Sequence, residues 1–134
     1  PAGAFDLRTH LTFPNHGFVV TSINNGIRVG GAVELGGLTL PPNYKRAETL
    51  LQKAASFMPG LRTEEGTQWM GFRPSLPDSL PVISPSPKAR SVFYAFGHGH
   101  LGLTQAAGTA ELMALLIGGE TTPLPMAPYS STRF

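Results

Sequence analysis

Residues 95–120, AFGHGHLGLTQAAGTAELMALLIGGE, contain the change of pattern that decides the fold. An apolar β-type run over residues 91–96 leads into Gly-His-Gly-His, and a long series of small and apolar residues follows. This order predicts a strand, a tight turn and a helix over Leu103–Ile117. Because that helix is apolar nearly all round, we expect other protein surface to cover most of its sides.

The Gly-His-Gly-His turn allows three interpretations. A metal site has weak support, because His98 and His100 have no third histidine or carboxylate nearby and closed sites use three or four ligands. In the second interpretation, the glycines only permit a tight connection. In the third, the backbone N–H groups that open the helix bind a phosphate, a carboxylate or an anionic ring edge. The turn is neither a G-x-G-x-x-G that follows a first strand nor a G-x-x-x-x-G-K-[ST], which argues against a dinucleotide pyrophosphate at this position.

The remaining pattern predicts an α+β domain with a mixed or antiparallel sheet and two main helices. Asn-Gly at positions 25–26 indicates a β-hairpin. An apolar stripe of i, i+3, i+4 spacing predicts the other helix over Tyr44–Met58, with Asn43 as its cap and Pro59-Gly60 as its stop. Further strands are predicted over residues 7–13, 17–22, 27–34, 67–73 and 80–83, and the segment from Thr121 onward is expected to be an extended surface strap.

Composition excludes several classes of protein. The net charge is +2 without any Lys/Arg-rich run, so nucleic-acid binding has no support. The absence of cysteine rules out disulfides and thiolate zinc sites. No apolar run is long enough to span a bilayer and no signal peptide is visible, so we expect a cytoplasmic protein, with peripheral contact at the inner membrane as the alternative. The chain begins on Pro1 rather than Met, and we therefore expect that its natural N-terminus is missing.

Two charged residues are candidates for chemistry. Arg73 precedes Pro74 in an apolar context, and its planar guanidinium can bind a carboxylate substrate with two hydrogen bonds; the alternative is an ordinary surface arginine. Glu34 lies in GAVELGG, residues 31–37, as either a catalytic carboxylate or a charge at the end of a strand. The second interpretation of Glu34 is favoured.

Four stretches, in this order, resemble the C-terminal part of FAD-dependent oxidoreductases of the D-amino acid oxidase superfamily. They are GAVELGG at 31–37, PPNYKRAETLL at 41–51, WMGFRPSLPDSLPVISPSP at 69–87 and VFYAFGHGHLGLTQAAGTAELMALLI at 92–117. The chain is most similar to the small-subunit type of D-amino acid dehydrogenase, and more distantly to glycine oxidase and sarcosine oxidase. One departure is Ser84, where the family often has glycine.

The resemblance implies that this chain is a fragment. Family members are roughly three times longer and begin with a Rossmann unit that binds the ADP half of FAD. Residues 1–96 would then belong to the substrate-binding domain, and residues 97–134 would return to the FAD-binding domain as its last strand and helix. The implied partner is the missing N-terminal FAD-binding region; without it we expect no FAD binding, no activity, and self-association through Leu103–Ile117. The alternative is a non-catalytic binding or assembly module that docks on a separate FAD-binding subunit.

The resemblance also implies a site and a reaction. The cofactor-binding positions would be Gly97, His98, Gly99, His100, Leu101, Gly102, Leu103 and Thr104. Arg73 matches the family arginine that holds the substrate carboxylate, and His100 would line the substrate pocket. The implied reaction passes a hydride from the Cα of a D-amino acid to FAD, after which the imino acid hydrolyses to a keto acid and ammonia. No protein residue is then required as a strong base.

Overall fold

The computed structural model describes residues 4–24 and 26–134. The elements within these residues are the strands β1 (Leu11–Phe13), β2 (Phe18–Ile23), β3 (Gly26–Gly30), β4 (Val82–Pro85) and β5 (Phe93–Phe96), the helices α1 (Lys45–Phe57) and α2 (Gly102–Gly118), and 3-10 turns at Pro14–His16 and Ala127–Tyr129. The chain divides into two compact units between Gly71 and Phe72, called here the N-terminal and C-terminal units. This content confirms the predicted α+β class with antiparallel sheets and two main helices.

The N-terminal unit contains an antiparallel sheet in the order β1-β2-β3. The predicted hairpin is present, because Ile23 pairs with Gly26. Asn24 has the positive φ of 48° that Asn-rich turns tolerate, while Asn25 lies outside the described residues. β3 ends at Gly30 rather than at the predicted Glu34.

Helix α1 packs on this sheet through one apolar face. The buried cluster joins both elements and consists of Phe18, Val20, Ala54 and Met58. The structure places the N-cap at Tyr44, one residue after the predicted Asn43. Asn43 still supports the helix start, because its Oδ1 accepts a hydrogen bond from the Lys45 N–H at 3.2 Å. Such a helix, with one buried stripe and a polar remainder, satisfies its apolar residues within its own unit.

The predicted strand over residues 67–73 is wrong. These residues have no regular secondary structure, and the boundary between the two units falls inside the segment. Trp69 and Phe72 are exposed, and the Arg28 guanidinium lies 5.1 Å from the centre of the Trp69 ring. An apolar run becomes a strand only where another strand accepts its backbone hydrogen bonds, and among the described residues none pairs with this one.

The C-terminal unit contains a two-stranded antiparallel sheet of β4 and β5 with α2 against both strands. The two strands are antiparallel, with Val82 paired to Phe96. β4 begins at Val82 and β5 at Phe93, each two residues after its predicted start. Its buried apolar side chains include Val82, Ile83 and Leu112. α2 runs one residue further than predicted at each end, and Gly119 closes it with a left-handed φ of 70°.

The segment from Thr121 onward lies on the C-terminal unit. A 3-10 turn over Ala127–Tyr129 interrupts the predicted extended strap. Ser131 donates its backbone N–H to Oγ of Ser84 at 3.1 Å, and Ser84 is a buried residue of β4. Within the described chain, no helix combines the length and the apolar character that crossing a membrane requires.

Candidate functional site

The Gly-His-Gly-His turn needs glycine at its first position for two reasons. Gly97 has a φ of 86°, which L-residues with side chains rarely adopt. A Cβ at Gly97 would also lie 2.5 Å from Cδ1 of Leu76, so the glycine allows the loop that carries Leu76 to approach the turn closely. Gly99 has a positive φ of 56° as well. The second interpretation of the turn, a tight connection, is therefore part of the answer.

The structure brings this turn together with the segment that carries Arg73. Ser75 and His98 form an isolated antiparallel bridge. The Gly99 N–H donates to the Pro74 carbonyl oxygen at 3.1 Å. Arg73 therefore occupies the position next to a residue that is hydrogen-bonded to the turn. Two features singled out separately in the sequence lie side by side in one unit.

The two histidines of the turn differ in their surroundings. His98 is half-buried, and its Nε2 lies 2.9 Å from Oγ1 of Thr109, so its ring connects the turn to the third turn of α2. His100 is exposed. Across residues 4–24 and 26–134, no three histidine, aspartate or glutamate side chains are grouped closely enough to hold a metal ion.

The first turn of α2 contains no acidic residue, and no side chain among the described residues caps it. The leading N–H groups of a helix lack intrahelical acceptors and carry partial positive charge. Leu101 and Leu103 beside them are exposed. This end of the helix can therefore bind an anionic or electron-rich edge that also has an apolar face.

Arg73 is exposed and has no hydrogen bond or ion pair with any described residue except through its backbone carbonyl, which accepts from Ser75 N–H at 2.9 Å. Its guanidinium is thus available for a carboxylate. Glu34 is engaged in a local contact, since its Oε2 accepts from the Asn43 N–H at 3.4 Å. That contact connects the GAVELGG stretch to the start of α1 and agrees with a structural role for Glu34.

One residue pair near the site was not predicted. Arg133 and Asp78 form a bidentate ion pair, with Nε to Oδ2 at 2.6 Å and Nη2 to Oδ1 at 3.0 Å. The hydrogen bond from Arg133 lowers the pKa of Asp78 from its usual value, so this carboxylate stays charged to a lower pH than an unpaired aspartate. The Pro-Asp-Ser sequence at 77–79 signals a turn, but a partner 55 positions away leaves no local signal.

Comparison with known proteins supports the resemblance seen in the sequence. The family described as DAO, FAD dependent oxidoreductase, matches residues 2–116. A D-amino-acid oxidase from Bradyrhizobium diazoefficiens is 44% identical over 120 residues, covering 87% of this chain and 28% of that protein. A D-amino acid dehydrogenase from Xanthobacter autotrophicus is 37% identical over 116 residues, covering 86% of this chain and 27% of that protein. The chain thus spans little more than a quarter of the length of the curated relatives it matches.

Solved structures give the same result. Glycine oxidase from Geobacillus kaustophilus superposes with a TM-score of 0.60 at 26% identity, over 91% of this chain and 34% of that one. Iminodiacetate oxidase from Chelativorans sp. superposes with a TM-score of 0.66 over 90% of this chain and 37% of that one; at 22% identity it shows the fold alone. The matched family residues include Arg73 and the whole turn. The chain belongs to the DAO family of FAD-dependent oxidoreductases.

Proposed function

We propose that this chain supplies the substrate-carboxylate site and one edge of the flavin site of an FAD-dependent oxidoreductase that acts on D-amino acids. The observation that carries the proposal is the pairing of residues 74–75 with His98 and Gly99. It places a free arginine next to a turn that opens an uncapped helix. Family membership and two relatives named for D-amino acids support the substrate class.

The residues of the turn and the start of α2 fit a flavin. Gly97 and Gly99 supply the positive φ angles of the turn, and the uncapped N–H groups of α2 present partial positive charge to an electron-rich ring edge. We assign the backbone from Gly97 to Thr104 to this contact. FAD, when bound, supplies the acceptor for the hydride that leaves the substrate Cα.

Arg73 holds the substrate by its carboxylate. Its guanidinium can donate two parallel hydrogen bonds, which fixes both the position and the rotation of the amino acid. His100, exposed on the same turn, is the polar residue we place beside the substrate. The oxidised product is an imino acid, which adds water and releases ammonia to give a keto acid. These residues then act mainly by orienting the substrate, which lowers the entropic cost of reaching the transition state.

The test uses the complete reading frame that contains this chain. We expect a yellow protein whose flavin absorbance bleaches anaerobically when a D-amino acid is added. Arg73→Met should raise KM for carboxylate substrates by about tenfold to 100-fold, through loss of a bidentate charged contact. Arg90→Met removes another exposed arginine of the same unit and should leave KM unchanged.

A colourless, inert complete protein would overturn the proposal and favour the assembly module that docks on a separate FAD-binding subunit. A yellow, active protein in which Arg73→Met and Arg90→Met behave alike would remove Arg73 from the substrate site. We also propose that the 134-residue chain alone is inactive and binds no FAD.

A further inference from the structure

We propose that Arg133 is a positioning residue, which holds Arg73 and the Gly-His-Gly-His turn in register by fixing the loop of residues 73–81, called here the arginine loop. The proposal rests on the proposed function for its consequence in catalysis. Its structural part, that Arg133 controls the contact between the arginine loop and the turn, stands on the contacts of the C-terminal unit.

Arg133 binds the far end of the arginine loop with most of its donors. Besides the two hydrogen bonds to Asp78, Nη2 donates to the Leu80 carbonyl oxygen at 2.7 Å and Nη1 donates to the Ser130 carbonyl oxygen at 3.0 Å. The ring of Phe134 lies 4.5 Å from the guanidinium carbon. This combination of a carboxylate fork, two carbonyls and an aromatic ring requires arginine, because lysine has no planar fork.

The contact is more enclosed than an ordinary surface ion pair. The side chains of Arg133 and Asp78 are 11% and 33% exposed. The strap beside Arg133 is anchored independently, through the hydrogen bond of Ser131 to the buried Ser84. Exposed ion pairs contribute little because water screens them and the side chains lose entropy. Here the hydrogen bond from Ser131 to Ser84 already holds the strap near β4, so Arg133 loses less entropy when it binds the arginine loop.

The arginine loop transmits this contact to the turn. Oδ1 of Asp78 accepts the Leu80 N–H at 3.1 Å, and the Ser79 N–H donates to Leu76 at 3.0 Å, so the loop forms one compact turn. Ser79 has a φ of 61°, which a non-glycine residue maintains only when its surroundings hold it. Leu76 then packs against Gly97, and Pro74 accepts the Gly99 N–H.

The family match covers only one residue of the Arg133–Asp78 ion pair, called here the clamp. Asp78 lies within the matched residues 2–116, whereas Arg133 lies beyond them. The match therefore contains the loop and the turn but not the arginine that fixes their relation.

The first experiment needs neither flavin nor substrate. Hydrogen exchange of the peptide that contains Gly99 is measured in the wild-type 134-residue chain. It is compared with exchange in the variants Arg133→Ala and Arg133→Lys and in the control Arg90→Ala. We expect exchange at Gly99 to be about tenfold faster in Arg133→Ala, intermediate in Arg133→Lys and unchanged in the control, because loss of the clamp opens the loop locally. Asp78→Asn, which keeps an oxygen for the Leu80 N–H but removes the charge, should act like Arg133→Lys. Unchanged exchange in folded variants would overturn the proposal.

The second experiment uses the complete flavoprotein. Arg133→Ala should raise KM for a D-amino acid by about tenfold with a smaller change in kcat, and Arg133→Lys should recover part of it. In the double variant Arg73→Met/Arg133→Ala, KM should rise by less than the product of the two separate increases, because both substitutions disturb the same contact with the substrate carboxylate. If Arg133 matters only for stability, Arg133→Ala will lower Tm, and its effect on KM will multiply with that of Arg73→Met. That result would overturn the proposal. If the complete protein has no flavin activity, the proposed function fails, and the exchange experiment still decides whether Arg133 positions the loop.

Discussion

The two helices of this protein use their apolar residues in opposite ways. α1 places Ala54 in a core that β2 completes with Phe18 and Val20. α2 buries Leu112, while Leu103 is 94% exposed and Ile117 is 62% exposed. An amphipathic helix is satisfied by one neighbour, whereas a helix that is apolar all round exposes apolar surface when only one side is covered. Within its own unit, α1 thus leaves less apolar surface exposed than α2 does.

The largest expected effect tests that contrast directly. Phe18→Ala removes a ring that is buried and stacked on Phe13 at 4.5 Å, and should lower the free energy of unfolding by about 3–5 kcal/mol. Leu103→Ala in α2 should change it by less than about 0.5 kcal/mol. Urea unfolding followed by circular dichroism measures both. Equal losses would mean that Leu103 is packed and that the contrast between the helices is wrong.

Gly97→Ala should have the next largest effect, and it sharpens the contrast within the C-terminal unit. The left-handed backbone and the forced movement of Leu76 together should cost about 2–4 kcal/mol. Gly119→Ala is the matched control, because Gly119 has a φ of 70° with open space around it and should cost only the backbone term of about 1–2 kcal/mol. Thermal unfolding of both variants separates the two costs. A loss no larger than that of the control would show that Leu76 yields freely.

Thr109→Val tests the connection between the turn and α2. It keeps the shape of the side chain and removes the hydroxyl that meets His98 at 2.9 Å, so we expect a loss of about 0.5–1.5 kcal/mol in unfolding free energy. Thr109→Ser retains the hydroxyl and should retain most of that hydrogen bond. If the valine variant is as stable as the wild type while the serine variant is weaker, the methyl group rather than the hydrogen bond matters.

Leu103→Ser should have the smallest effect on stability but a clear effect on association. The exposed face of α2 predicts that the 134-residue chain self-associates, since apolar surface of this kind gains free energy when water is excluded from it. Light scattering should show a higher apparent mass for the wild type at rising concentration and a lower one for the variant. A monomeric wild type at all concentrations would contradict the prediction.

Local patterns predicted the helices well and the strands less well: the strand over 67–73 is absent, and those over 7–13 and 27–34 are shortened to β1 and β3. The i, i+3, i+4 stripe identified α1 within one residue at each end, and small and apolar residues identified α2 equally closely. A helix forms its hydrogen bonds within itself, so its own sequence carries the information. A strand depends on a partner elsewhere in the chain, and the apolar run at 67–73 has none among the described residues. The predicted division into substrate-domain residues 1–96 and FAD-domain residues 97–134 stays a prediction about the complete protein.

By itself, the sequence determined the α+β class, the family, the need for glycine in the turn and the importance of Arg73 as a candidate. These features are local: periodicity, backbone dihedral preference and short motifs are readable within a few residues. Only the tertiary structure placed Pro74 against Gly99, joined His98 to Thr109 and brought Arg133 to Asp78. Such contacts depend on how distant segments pack, and the hydrogen bonds that stabilise them leave no mark on the spacing of residues along the chain.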